Sequence, residues 1–414
     1  MKTPMERTLP ILSMLAVIAV ATTLSTPQAA GQSPSTTPTV TGTLDGPRQA
    51  VFVTPKDSCE QDDIPDAMAR AFRDSTGTIH LVAASSDMFQ SLGPNLDQLQ
   101  RSCEAAFRSA NDPNPADFND QAWLTSFYTL DGQHVAALTH TEYHGWAIKG
   151  ECHVQGNQQY GACEYDSDTY HQSNDGGYHF ESFKAPKNFL AGIPYKYRID
   201  DGPMGYSVDT NIIPLNGWYY AVATSWTWPP NCTGATGPHR CLTSGGAPLR
   251  TQDVFDPSSW VTWDGKDFSV SFADPYPGPV SQPQEHVFQP VPYMGFVNAI
   301  NLFQVSSGQT VVVATLWDGW DTELGGPPGL YFTTSTDMIN WTTPTLVVTL
   351  AELSARDPKG SWLYAYFSLI DPNASDMNFA TIGDHPYVFY TRLNNNNVLE
   401  RVLYRQPIQL TAKP

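Results

Sequence analysis

The chain has 414 residues, with 41 acidic against 22 basic side chains and a formal net charge of −19. Only 15% of residues are charged, whereas aromatics reach 12% and Pro and Gly number 34 and 30. Such a chain is too turn-rich and too poor in Lys and Glu for a coiled coil, a helical bundle or a disordered protein. Its acidity also excludes nucleic acid and anionic membrane as partners, because binding either needs a basic face.

The first 31 residues read as a secretory signal: Lys2 and Arg7 precede an apolar stretch over 9–24, and Ala29-Ala30-Gly31 offers a small-residue cleavage site. Residues 32–46 are rich in Ser, Thr and Pro and are expected to form a flexible leader. The destination is then outside the cytoplasm, extracellular or periplasmic, with no membrane association once the signal is removed. Six cysteines in an exported chain suggest three disulfides between sequence neighbours, Cys59–Cys103, Cys152–Cys163 and Cys232–Cys241, among fifteen pairings. Asn231, Asn340 and Asn373 each open a glycosylation sequon.

From residue 67 onward one unit recurs, an apolar strand, a tight turn and a second apolar strand. Its copies span 67–85, 122–140, 206–225, 296–316 and 367–393. The turns are Ser75-Thr-Gly77, Leu130-Asp-Gly132, Leu215-Asn-Gly217, Ser306-Ser-Gly308 and Thr381-Ile-Gly383, each with the glycine that a tight hairpin needs. A polar turn with Asp and then an aromatic follows most copies. Examples are Ser173-Asn-Asp175-Gly-Gly177-Tyr-His-Phe180, Asp253 running to Trp260, and Ser335-Thr-Asp337 running to Trp341; Pro94-Asn-Leu-Asp97 is a degenerate first copy. The carboxylate can bond turn amides while the aromatic packs between sheets. Helix is expected only over 95–107 and 349–355. One such unit cannot bury both of its faces, but five arranged around an axis can. The predicted architecture is therefore an all-β, five-bladed β-propeller filling residues 47–414 as one domain, with a double β-sandwich as the alternative.

The repeat with Ser335-x-Asp337-x-x-x-Trp341, followed by the Tyr-rich strand 387–392, resembles the five-bladed propeller glycosidases of the arabinanase, xylosidase and levanase type. The segment 173–180 is similar to the sialidase Asp-box, and the layout is also similar to that of exported bacterial propeller proteins. The resemblance implies a carbohydrate substrate and an acid/base carboxylate pair in the central funnel. It places an Asp base at Asp66, before the first inner strand, while Asp209 and Asp371 stand at comparable points of later blades. Where the family has a Glu acid, the third inner strand offers Asp209, and Glu142 is the substitute.

The residues themselves point to 138–146. On an extended strand His140, Glu142 and His144 share one face, with Tyr143 opposite. Three readings stay open for this segment. One is a catalytic patch with Glu142 as acid and His140 orienting it, and another is a tripodal metal site of His140, Glu142 and His144. The third is a polar blade edge. No cofactor is required, though a structural or catalytic metal fits the second reading. Trp146 and Trp317 could stack on sugar, and Arg392 could bind a carboxylate or hydroxyls. Each Asp also reads as a turn cap and each Trp as inter-blade core.

Three functions follow. The first is glycoside hydrolysis with Asp66 as base and Glu142 as acid, supported by His140, Asp209 and Asp371. The second is a polysaccharide lyase using His140, Tyr143 and Arg392. The third is a non-catalytic propeller that binds glycan or protein, since fold alone does not fix function. A monomer is expected.

Overall fold

The computed structural model describes residues 37–208, 210–227, 245–319, 324–358 and 360–413. The expected signal peptide, Asp209, and the Cys232–Cys241 pair with its Asn231 sequon lie outside the described residues.

Two strands, Thr39–Leu44 (β1) and Gln49–Val53 (β2), precede the first blade. Blade I is an antiparallel sheet of Arg70–Arg73 (β3), Ile79–Val82 (β4), Asp87–Gly93 (β5) and Gln100–Arg108 (β6). Blade II consists of Gln121–Thr129 (β7), Val135–His144 (β8) and Glu164–Ser173 (β9), with the short strands Glu181–Ser182 (β10) and Phe189–Ala191 (β11) along the β9 edge. Blade III is built from Met204–Val208 (β12), Ile213–Leu215 (β13), Trp218–Thr227 (β14), Gly245–Thr251 (β15), Val261–Trp263 (β16) and Phe268–Ser271 (β17). Blade IV holds Val297–Gln304 (β18), Thr310–Asp318 (β19), Gly329–Ser335 (β20) and Thr345–Thr349 (β21). Blade V begins with Trp362–Ile370 (β22) and returns as Tyr387–Asn394 (β24) and Asn397–Lys413 (β25). Between them Thr381–Ile382 (β23) pairs in parallel with β18.

The innermost strands close a ring, and hydrogen bonds seal its joints. Arg70 Nε donates to the Thr125 carbonyl at 2.9 Å, joining β3 to β7. Thr125 Oγ1 donates to Val208 O at 2.7 Å, joining β7 to β12. Asn211 exchanges two bonds with the Ile300 backbone, at 2.7 and 3.1 Å. Asn301 Nδ2 reaches the carbonyls of Leu369 and Phe379 at 3.4 and 3.3 Å. The Tyr366 hydroxyl, on β22, closes the circle by donating to Asp66 Oδ1 at 2.9 Å.

Burial follows the same circle. Among the described residues five apolar cores lie between successive blades: I/II, II/III, III/IV, IV/V and V/I. The period of two makes this work. On β19, Val311 and Val313 pack toward blade V, while Val312 and Ala314 pack toward blade III. A strand buried on both faces needs a continuous apolar run, which explains why the second strand of each repeat is so apolar.

The Asp turns are the rivets of this layout. Ser173 Oγ bonds Asp175 Oδ1 at 2.7 Å and accepts from Gly177 N at 2.8 Å, and Asp175 Oδ1 accepts from His179 N at 3.0 Å. Phe180 then enters the I/II core against Phe127. Asp337 Oδ1 likewise accepts from Ile339 N and Asn340 N at 2.9 and 2.8 Å, and Trp341 Nε1 donates to Met338 O at 3.0 Å.

Four expectations are corrected. The leader does not extend to residue 46, because β1 pairs with β25 from Thr39↔Lys413 to Leu44↔Ile408 and supplies the outer strand of blade V. Residues 95–107 are not a helix. A turn capped by Asn95 leads into β6, where pairing with β5 and the Cys59–Cys103 disulfide override helix propensity. The segment around Thr381-Ile-Gly383 is not a hairpin tip, since β23 leaves the blade to pair with β18. Asp371 does not open the last inner strand, because β22 begins at Trp362 and Asp371 follows its end. The helix expected near 349–355 is present as Leu350–Ser354, with a Thr349/Glu352 capping box. Cys59–Cys103 and Cys152–Cys163 are bonded as expected.

Candidate functional site at the axis mouth

Inner strands of a propeller all start at one end of the axis, so residues just before them gather at one mouth. Asp66 precedes β3 and sits there, buried, with its carboxylate paired to Arg401 of β25 and bonded by Tyr366. Arg401 is anchored independently through the carbonyls of Pro65 and Val398. Tyr366 occupies a bulge in β22 at φ 62°, a left-handed conformation that turns its hydroxyl toward Asp66.

The end of β8 and the start of β9 reach the same mouth. Their register sets His140 opposite Asp168, Glu142 opposite Asp166, and His144 opposite Glu164. Six ionisable side chains therefore share one face of blade II, in three cross-strand pairs. Glu142 is the hub: Oε1 lies 3.0 Å from His140 Nε2, and Oε2 lies 2.6 Å from His144 Nε2. Burial pushes the Glu142 carboxyl upward, but the two imidazoles outweigh it and hold the group well below the ordinary carboxylate range. Glu164 behaves oppositely. Burial, followed by the charges of Glu142 and Asp166, raises it well above its ordinary value. Asp168 Oδ1 accepts from Val208 N at 2.7 Å, which ties the patch to the inner strand of blade III. Asp120 Oδ2 accepts from His144 N at 2.8 Å and fixes the end of β8.

Tyr366 links the two halves. Burial is the main cause of its strongly raised pKa, and the charges of both Asp66 and Glu142 add to it. Two indole rings lie beside the histidines. Trp123 lies 6.1 and 6.3 Å from His140 and His144, and Trp146 lies 4.6 Å from His144.

The chain matches no protein-family model and no curated protein. Its structure is similar to a glycosyl hydrolase from Bacteroides ovatus, at 8% identity, 84% of each chain and a TM-score of 0.40. It is similar to a protein of unknown function from Dyadobacter fermentans, at 11% identity, 90% of this chain, 99% of that one and a TM-score of 0.42. It is also similar to an α-L-arabinofuranosidase from Podospora anserina, at 11% identity, 90% and 97% coverage and a TM-score of 0.39.

Asp66, His140, Glu142 and His144 are thus brought to one mouth, with Trp146 beside them. The remaining candidates are placed elsewhere. Asp371 lies past the far end of β22 and accepts from Asn373 N at 2.8 Å and Gly383 N at 2.5 Å, as a turn cap does. Tyr143 faces away from Glu142, buried, with its hydroxyl on Pro113 O at 3.1 Å. Trp317 stacks on Phe367 at 4.4 Å between blades IV and V. Arg392 pairs with Asp357 and lies over the Trp362 ring. The trio His140, Tyr143 and Arg392 does not come together.

Sequence reasoning missed the β9 half of the patch. Its signal was present as Glu164-Tyr-Asp166-Ser-Asp168, an acidic alternation of period two that mirrors His140-Thr-Glu142-Tyr-His144. It also missed Tyr366 and Arg401, which lie about 300 residues or more from Asp66 in sequence.

Proposed function

We propose that this protein is an exported glycoside hydrolase that cuts a poly- or oligosaccharide at the axis mouth. The observation that carries this reading is that the Tyr366 hydroxyl bonds Asp66 of blade I and also feels the charge of Glu142 of blade II. Hydrolysis of a glycosidic bond needs one carboxylate to activate water or attack the sugar, and a second group to protonate the leaving oxygen. Asp66, held by Arg401 and Tyr366, supplies the first carboxylate. Glu142, held well below the ordinary carboxylate range by its imidazoles, and His140, 3.0 Å from its Oε1, form the pair that would protonate the leaving oxygen. Trp123 and Trp146 offer apolar faces on which a sugar ring can stack. Export is supported by the two disulfides, which persist in oxidising compartments.

The test is a glycan panel read for new reducing ends and, in parallel, for ultraviolet absorbance of an unsaturated product. Reducing ends without absorbance, lost in Glu142→Gln and His140→Ala, are expected. Retention of full activity by Glu142→Gln sinks the assignment. Absorbance indicates a lyase, and glycan binding without turnover indicates a binding propeller.

A further inference from the structure

We propose that Glu142, His144 and Glu164 form a site for one divalent ion of the zinc class. One ligand atom from each of the three lies within 4.8 Å of the others. β8 and β9 hold them rigidly, since His144 and Glu164 are a direct cross-strand pair and Glu142 stands two residues back on the same face.

Glu164 is the independent sign of a ligand. Its side chain is 1% exposed, and neither carboxylate oxygen has a hydrogen-bond partner. Buried polar groups in folded proteins are satisfied with few exceptions. Here burial and the neighbouring charges of Glu142 and Asp166 oppose its ionisation. A bound dication removes both difficulties at once: it supplies the missing partner and cancels the repulsion.

The donor set selects the ion. One imidazole nitrogen with two carboxylates suits zinc and its transition-metal neighbours, whereas calcium and magnesium favour all-oxygen shells. The surroundings fit as well. His140 bonds Glu142 Oε1 and leaves Oε2 on the side of His144, in the way outer groups orient ligating carboxylates. Trp123 and Trp146 flank the His144 ring. Among the described residues, the other cluster with metal-ligand spacing, Cys152, Cys163 and Asp200, has its two sulfurs tied in a disulfide. The inference rests on the patch alone and stands whether or not a glycan is cut.

The experiment strips the full-length protein with EDTA, dialyses it against zinc, and measures bound metal by mass spectrometry together with the melting temperature. Wild type is expected to take up one zinc per chain and to melt higher. Glu164→Gln and His144→Ala are expected to lose about tenfold or more in zinc affinity. In EDTA, Glu164→Gln should melt close to wild type, because the neutral amide replaces a carboxyl whose charged form burial already disfavours, yet gain nothing from zinc. Should His144→Ala fold poorly, Glu164→Gln decides. The proposal is overturned if wild type binds no stoichiometric zinc, if Glu164→Gln binds as wild type does, or if equimolar calcium or magnesium displaces zinc. Because the readout is metal content, failure here leaves the hydrolase assay unaffected.

Discussion

Asp66 and Arg401 form a buried pair whose energetics can be measured directly. Their side chains are 4% and 2% exposed, so neither charge has water to fall back on. Removing one partner of such a pair typically costs about 3–5 kcal/mol, because the other is left uncompensated. Asp66→Asn should fall near the lower end, about 3 kcal/mol, since Arg401 keeps the carbonyls of Val398 at 2.7 Å and Pro65 at 3.2 Å. Arg401→Met should cost more, as Asp66 would keep only the Tyr366 hydroxyl among its side-chain partners. The double variant should be less destabilised than the sum of the two, because it leaves no orphan charge. Urea unfolding followed by Trp fluorescence gives the three values. Asp66→Asn within about 1 kcal/mol of wild type, or strict additivity in the double variant, would refute the reasoning. The result also governs how activity is tested: an inactive Asp66→Asn enzyme is informative only below its own melting transition.

Other outcomes follow from single features. Asp337→Ala removes the acceptor of two turn amides and of the Asn340 side chain, and should cost about 1–2 kcal/mol in the same assay, whereas Asp337→Asn should cost less. Cys103→Ser opens a loop closed across 44 residues and should lose about 4 kcal/mol by the chain-entropy relation, against about 3 kcal/mol for Cys152→Ser, whose bridge spans 11. His171 is buried between Thr139 and Ser182, and burial lowers its pKa to about 3. With the unfolded value near 6.5, the unfolded chain binds the extra proton first as pH falls, so stability is full above that value and drains below it. Between pH 7 and 4.5 wild type should lose about 2–3 kcal/mol more than His171→Gln, and parallel pH curves would dismiss the assignment.

The fold was legible because the blade unit is local. The first four hairpins carry their own turn glycine, and the turns at Asp175 and Asp337 carry their own serine and aromatic, so neighbouring residues announce the repeat. Ser173 to Phe180 shows this, since Ser173 and Asp175 bond the amides of their own turn. What was not legible is long-range. The β1–β25 pairing joins residues 370 apart, and nothing in 39–44 marks that stretch as a strand rather than a leader. Residues 95–107 carry helix-forming residues, and only pairing with β5 makes them a strand. At the site, the His140–Glu142–His144 face followed from strand periodicity alone. Its acidic partner on β9 needed the register, which sequence does not display. Asp371 misled because an Asp-Pro step after an apolar run looks the same at either end of a strand.

The pairing of β1 with β25 has a consequence for how the molecule comes to be. A chain made from its N-terminus can assemble blades I to IV as they emerge, but blade V lacks its outer strand partner until the last strand is available. The contact that shuts the ring is thus the most distant in sequence and the latest to become possible. Contacts of such separation slow folding, because chain entropy is lost before they return any stabilisation. Once shut, the circle has no terminal blade to peel away. Opening it must break β1 from β25 along its length, which sets a high barrier to unfolding, so the protein's persistence would be governed by a rate as much as by an equilibrium.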